Sequence, residues 1–208
     1  MGRLFESDCH HHRNRVLMKS LLVSIVAGAL LAVPLHAAAG DVAAGKVRAA
    51  GACASCHGMD GIGKRDRWPN LAGQNDVYIV RQLQAFREGS RKDSFMTPMA
   101  RPLTEQAMHD VAAFYASLPR QQVAETGPGD RAAGERKATA CLECHGAREG
   151  SPNAEWPSLA GQKADYLIKQ LRKFRDGIRT DPLMSDAAKG LSNDDINDLA
   201  AYYAGLKP

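Results

Sequence analysis

The sequence predicts an all-α protein made of two copies of one helical unit. Three observations carry that prediction. The chain matches itself at an offset of 88 residues almost without gaps. Its apolar residues recur at helical spacing, and runs of alternating β-branched residues, the mark of strands, are absent. The pentapeptide Cys-x-x-Cys-His also occurs once in each copy, as CASCH (Cys53 to His57) and CLECH (Cys141 to His145).

The elements follow in chain order. Asp41 can cap a short helix that ends just before the first pentapeptide, and Asp130 does the same before the second. Asn75 to Glu88 carries Tyr78, Ile79, Gln82, Leu83 and Phe86 in one stripe. Lys163 to Asp176 repeats it with Tyr166, Leu167, Leu171 and Phe174. Gly89 and Gly177 supply the C-terminal stops. Thr104 and Ser192 open the last helix of each unit, and Asp195 stands three residues after Ser192, an acidic variant of the capping box. A repeat this long in two copies means duplicated domains, here residues 40–119 and 130–208. Between them RQQVAETGPG, Arg120 to Gly129, has Gly and Pro but no apolar periodicity and reads as a linker. The offset is 88 from the pentapeptide onward but 89 before it, so one residue was gained or lost between the capped helix and the motif.

The N-terminus reads as a targeting segment. LLVSIVAGALLAV, Leu21 to Val33, follows Lys19 and precedes the small residues Ala37 to Ala39. This is the build of a cleavable signal peptide over residues 1–39, with an apolar stretch short for a membrane span. Starting at Met18 gives a more ordinary signal, which would leave Cys9 and the three histidines after it irrelevant. No second apolar span follows Gly40, so the mature protein is expected to be soluble and exported to the periplasm. Removing residues 1–39 takes four Lys/Arg and two Asp/Glu from totals of 27 and 23, leaving a net charge of +2. Charges of both signs are mixed along the chain, which argues against nucleic-acid binding.

Four of the five cysteines lie in the two pentapeptides. Paired zinc knuckles sit roughly 12–20 residues apart, far closer than these pairs. A redox CxxC needs a strand–helix setting that the sequence lacks. Two thiols three positions apart can both add across the vinyl groups of one haem, and the adjacent histidine then reaches the iron. The motifs therefore predict two covalently bound haem c groups, at Cys53 and Cys56 and at Cys141 and Cys144. An aromatic content of 6%, thin for two cores, fits a chain that fills each core with a cofactor.

His57 and His145 each supply one axial ligand in this reading. For the other face of the first iron the residues offered are Met59, Met96, Met99, Met108 and His109. Only Met96 meets another methionine at the repeat offset, Met184, which is also the one methionine of the second unit. The repeat favours Met96 and Met184, with Met99 close enough to Met96 to compete. A thioether is a soft, neutral ligand that raises the reduction potential, and it fills the position a substrate would need. A ligating histidine usually donates its other N–H to a fixed acceptor. The carbonyls of Pro69 and Pro157, 12 residues after each histidine, are suited to that, although Trp-Pro also serves simply as a helix-breaking loop. Arg87, Arg91, Arg175 and Arg179 could pair with haem propionates or stay as surface charges.

Around these motifs the chain resembles the dihaem cytochrome c4 family, two class I cytochrome c domains in tandem, each wrapped around one haem. The resemblance rests on both CxxCH motifs with Gly58 and Gly146, the LAGQ segments after Trp-Pro and the YxxxQLxxFRxG helices. It also rests on the Met-to-Leu spacing, Met96 to Leu103 and Met184 to Leu191. It implies His/Met ligation at both irons, selects Met96 over Met99, and makes the Pro69 and Pro157 carbonyls the histidine acceptors. It also implies a periplasmic electron carrier and not an enzyme, free or loosely membrane-associated. The donor would lie on the quinol–cytochrome c reductase side and the acceptor would be a haem–copper oxidase. The competing readings are an electron-accepting subunit of a periplasmic dehydrogenase and, further off, a small dihaem peroxidase or a thiosulfate-oxidising enzyme. The loop Lys64-Arg65-Asp66-Arg67 is more basic than its counterpart Pro152-Asn153-Ala154-Glu155, so the two haem edges are expected to face different partners.

Overall fold

The computed structural model describes residues 39–121 and 127–208; the signal segment, its alternative start at Met18 and the middle of the linker lie outside them. Every regular element among the described residues is helical, as the periodicity predicts. The first unit contains α1 (Val42–Arg48), α2 (Ala54–His57), α3 (Asp76–Glu88), α4 (Met96–Ala100) and α5 (Glu105–Ser117). The second contains α6 (Arg131–Lys137), α7 (Thr139–His145), α8 (Ala164–Arg175), α9 (Pro182–Ala188) and α10 (Asn193–Gly205).

The first and last helices of each unit cross tightly. The Asp41 carboxylate accepts from the N–H groups of Ala43 and Ala44, and Asp130 accepts from Ala132 and Ala133. Each cap residue's own N–H donates to an aspartate on the crossing helix, Asp110 at 2.9 Å and Asp198 at 2.7 Å. Glycine is required at the crossing. A Cβ on Gly45 would lie 1.9 Å from the Asp110 carbonyl oxygen, and one on Gly134 2.0 Å from that of Asp198. Thr104 caps α5, and Ser192 with Asp195 forms a complete capping box on α10.

The residue that changes the repeat offset from 89 to 88 is accommodated by the backbone. In the first unit Ala49–Cys53 runs as one π-helical turn that carries α1 into α2. A π turn takes up an inserted residue without breaking the helix. The second unit lacks the extra residue and bridges α6 to α7 through Ala138.

Helices α3 and α8 pack against α5 and α10 and build the two cores. Ile79, Val80, Leu83 and Phe86 are buried in the first, and Leu167, Ile168 and Phe174 in the second. Helices of 12–13 residues are marginal alone, so these buried side chains, each contributing about 2 kcal/mol, hold them in place. The helix faces divide here, because Tyr78, Gln82, Tyr166 and Gln170 each accept a hydrogen bond from an arginine of the opposite unit. The C-terminal stops also differ slightly: Gly89 caps α3 directly, whereas α8 ends at Arg175 with Asp176 as its cap and Gly177 one residue beyond.

The units meet through a reciprocal pairing of the LAGQ segments. Gln162 accepts from the Asn70 N–H at 2.8 Å and donates to the Asn70 carbonyl at 2.9 Å. Gln74 does the same to the Ser158 backbone, at 2.9 Å both ways. Asn75 and Ser158 are not helical in this interface, and the Asn75 amide is spent on the carbonyls of Asn153 and Trp156 rather than on capping α3.

Candidate haem sites

His57 ends α2 and His145 ends α7, and a glycine with φ of 73° (Gly58) or 65° (Gly146) turns the chain immediately after each. Both imidazoles are buried. Nδ1 of His57 lies 3.0 Å from the Pro69 carbonyl oxygen, and Nδ1 of His145 2.8 Å from that of Pro157. A carbonyl can only accept, so Nδ1 carries the proton and Nε2 keeps its lone pair for a metal. Burial lowers the pKa of both rings, outweighing the upward pull of the proline carbonyls and, at His145, of Asp181. Desolvation thus favours the neutral form that ligation requires.

The methionines arrive from the other side. Nε2 of His145 faces Sδ of Met184 at 3.5 Å. Met184 sits in the first turn of α9, whose N-terminus is capped by Asp181 accepting from Leu183 and Met184, with Pro182 next to the cap. Met96 opens α4, where Asp93 accepts from the N–H groups of Phe95 and Met96. Phe95 is the last residue before α4, and Met96 and Met99 both lie within it, with the Asp93 carboxylate accepting from the turn that leads in. Sequence reasoning does not single out Asp181, which caps α9, or Asp93, which accepts from the turn before α4, although an Asp three residues before each methionine is a readable signal.

The remaining ligand candidates separate by position. Met108 is fully buried within the first core. Met59 is exposed, and neither it nor His109 lines the cavity that holds His57. Met99 lines that cavity but is exposed, while Met96 packs against the core. Arg87 pairs with Glu105 and Glu88, and Arg175 with Asp176; both are half-buried and outside the cavity lining, whereas Arg91 and Arg179 line the cavity.

One continuous cavity of about 850 Å³ contains both sets. Cys53, Cys56, His57 and Met96 line one end, and Cys141, Cys144, His145 and Met184 the other. Ile79, Leu83, Phe86 and Tyr115 give it apolar walls on one side, and Leu167, Leu171, Phe174 and Tyr203 on the other. Burial raises the pKa of the Cys53 and Cys141 thiols. Two thiols, a neutral imidazole and a thioether around an apolar slot are the donor set of a covalently attached haem.

The chain resembles known proteins over nearly its whole length. Residues 42–119 match the family model described as cytochrome c, and residues 130–202 match that of cytochrome c oxidase, cbb3-type, subunit III. Cytochrome c4 of Thiocapsa roseopersicina is 39% identical over 180 residues, covering 80% of this chain and 93% of the relative. The chain belongs to the cytochrome c4 family. The crystal structure of reduced recombinant cytochrome c4 from Pseudomonas stutzeri superimposes with a TM-score of 0.70 at 36% identity, covering 81% of this chain and all of that one. A thiosulfate dehydrogenase electron acceptor of Stutzerimonas stutzeri is 36% identical over 199 residues, covering 87% of this chain and 92% of the relative. The protein is thus two tandem cytochrome c domains with two covalently bound haem c groups, attached at Cys53 and Cys56 and at Cys141 and Cys144.

Proposed function

We propose that the protein carries single electrons in the periplasm through two His/Met haems, His57 with Met96 and His145 with Met184, towards a terminal haem–copper oxidase. The approach of Met184 Sδ to His145 Nε2, with Nδ1 of that ring held on Pro157, supports this reading most directly. A bound haem supplies a reversible one-electron Fe(III)/Fe(II) couple. The protein's residues fix its ligands. The proline carbonyls orient the imidazoles, the helix caps present the thioethers, and the apolar walls keep water out. A histidine and a methionine holding each haem would leave no position for a substrate at the iron, which suits a carrier and not an enzyme. Behind a signal over residues 1–39, the domains 40–119 and 130–208 joined by 120–129 form the mature carrier. No helix among the described residues is long and apolar enough to cross a membrane.

A second reading is supported by the relative in Stutzerimonas stutzeri: electrons enter from a thiosulfate dehydrogenase. Two reactions separate the readings. The oxidised holoprotein is mixed with a quinol–cytochrome c reductase and quinol, or with a thiosulfate dehydrogenase and thiosulfate, and haem reduction is followed optically. Fast reduction by the first, then fast reoxidation by a haem–copper oxidase, is the expected result. Fast reduction by the second alone would move the protein to the dehydrogenase.

A further inference from the structure

The two haem-attachment segments share a backbone and differ in charge. The Lys64 N–H donates to the Cys56 carbonyl at 2.9 Å and ties the loop 64–67 to the first motif. Pro152, its counterpart, has no N–H, and the Ser151 hydroxyl donates to the Cys144 carbonyl at 2.8 Å instead. Each loop then closes on its tryptophan, the Trp68 N–H donating to the Arg65 carbonyl at 2.9 Å and that of Trp156 to Asn153 at 3.0 Å. On this common frame Cys53 to Trp68 carries Lys64, Arg65 and Arg67 against Asp60 and Asp66, a net charge of +1. Cys141 to Trp156 carries Arg148 against Glu143, Glu149 and Glu155, a net charge of −2. The same turns form with either sign, so the fold does not require the difference.

The positive charge of the first segment is turned outward. Lys64, Arg65 and Arg67 are exposed, and none has an ion pair among the described residues. Arg65 rests over the Trp68 ring at 5.0 Å. Asp66, within the same loop, faces Lys163 of the second domain at 3.6 Å. Arg67 and Glu155 occupy one repeat position and both line the haem cavity, so its two ends carry opposite signs there. Apolar contact is on offer at both ends. Phe95 and Leu183, again equivalent in the repeat, line the cavity and are 65% and 64% exposed. An exposed apolar residue ringed by charge is the anatomy of a protein-binding surface. Apolar contact is thus common to the two faces, and charge is what selects between partners.

We infer that an acidic one-electron protein docks on the first domain alone, with Lys64, Arg65 and Arg67 around Phe95, and that the acidic face of the second domain turns it away. The first haem is then the port for that partner. This deepens the reading of two His/Met haems and rests on it. One electron passes between the first haem and the partner's own centre, one being oxidised as the other is reduced, with no bond made and no proton moved. Opposite charges speed the encounter and fix its orientation, and like charges at the second face slow it.

The test titrates the isotope-labelled dihaem protein, in its ferrous state, with plant plastocyanin, an acidic blue-copper protein, in its cuprous state, so that no electron moves. Amide NMR shifts are expected at residues 55–67 and 94–99, and they should vanish at about 0.2 M salt. Shifts at residues 141–155, or equal shifts on both domains, overturn the assignment. Kinetics supply a second measurement. Lys64→Gln, Arg65→Gln and Arg67→Gln together should slow electron transfer from the ferrous protein to cupric plastocyanin about tenfold at low salt and remove most of its salt dependence. Loss of nearby positive charge makes a ferrous haem the stronger reductant, so driving force alone would move the rate the other way. Glu143→Gln with Glu149→Gln should change the rate by less than about twofold. An unchanged rate and salt slope in the triple variant overturns the port. So does binding of the parent to phosphatidylserine vesicles without any shift by plastocyanin, which would give the face to a membrane surface. The far-red absorption band of a thioether-ligated ferric haem is read in every sample. Its absence from the parent sinks the His/Met reading, and with the band present a failed docking test counts against the port alone.

Discussion

The first domain holds its methionine turn from outside and the second holds its own. Asp93 accepts from the Phe95 and Met96 N–H groups at the entry to α4 and is tied to Lys169 at 3.3 Å and Lys173 at 4.0 Å on the opposite domain. Asp181, at the equivalent position, caps α9 but has no ion pair among the described residues. The second domain compensates beside its crossing helices. There Lys137 bridges Asp195 at 2.6 Å and Asp198 at 2.7 Å, where the first domain has Arg48, Ala107 and Asp110. The first domain also carries the π turn and the extra thioether of Met99, which meets Ala187 in the repeat. Duplication has kept the two cysteines, the histidine and the methionine of each site and let some of their supports diverge. Capping depends on local spacing, which a copy inherits, and the cross-domain bonds of Gln74 and Gln162 are mirrored as well; the Asp93–Lys169 pair is not, because the residue matching Lys169 is Arg81, which pairs with Glu155 instead.

The comparison breaks most sharply at the shared crossings. Gly45→Ala and Gly134→Ala should each destabilise their own domain by about 3 kcal/mol, because the new methyl meets a backbone carbonyl that cannot move aside. Urea unfolding followed at the haem bands checks this. Markedly unequal losses would mean that the two crossings are not equivalent.

The methionine turns come next. Asp181→Ala should cost about 1 kcal/mol through its cap alone. Asp93→Ala should cost that and about 0.5 kcal/mol more for the partly exposed pair with Lys169. Differential thermal unfolding reads the difference, and Lys169→Ala should erase it.

The smallest effect is in acid. Lys137 and Ser192 hold the Asp195 carboxyl well below the usual range, and Lys137 with the Asp130 N–H lowers that of Asp198. Depressed folded-state values stabilise the protein above the unfolded value near ~3.9, and that stability is lost as pH falls through the folded values. Below about pH 4 the second domain should therefore lose stability steadily, and Lys137→Met should flatten that slope. An unchanged slope would assign the shifts to the capping bonds alone.

Much of this was legible in the sequence. The caps at Asp41, Asp130, Thr104 and Ser192, the apolar stripes and the attachment motifs all follow local spacing. The π turn was visible only as a change of offset, because an inserted residue leaves its mark in the alignment of the copies and not in the periodicity. The interface was not legible. Tyr78, Gln82, Tyr166 and Gln170 lie on the same stripes as core residues, and nothing in a helical period says that they face another domain. Gln74 and Gln162 sit in a repeated segment whose sequence gives no hint that each grips the backbone next to the other domain's histidine-holding proline.

The central claim is that both irons are closed by a histidine and a methionine, Met96 in one domain and Met184 in the other. It is tested most directly by the far-red thioether band of the oxidised dihaem protein in three variants. Met96→Ala and Met184→Ala should each remove about half of the band, and Met99→Ala should leave it intact. A full band in Met96→Ala with a halved band in Met99→Ala would give the first iron to Met99, and no band in the parent protein would contradict the account.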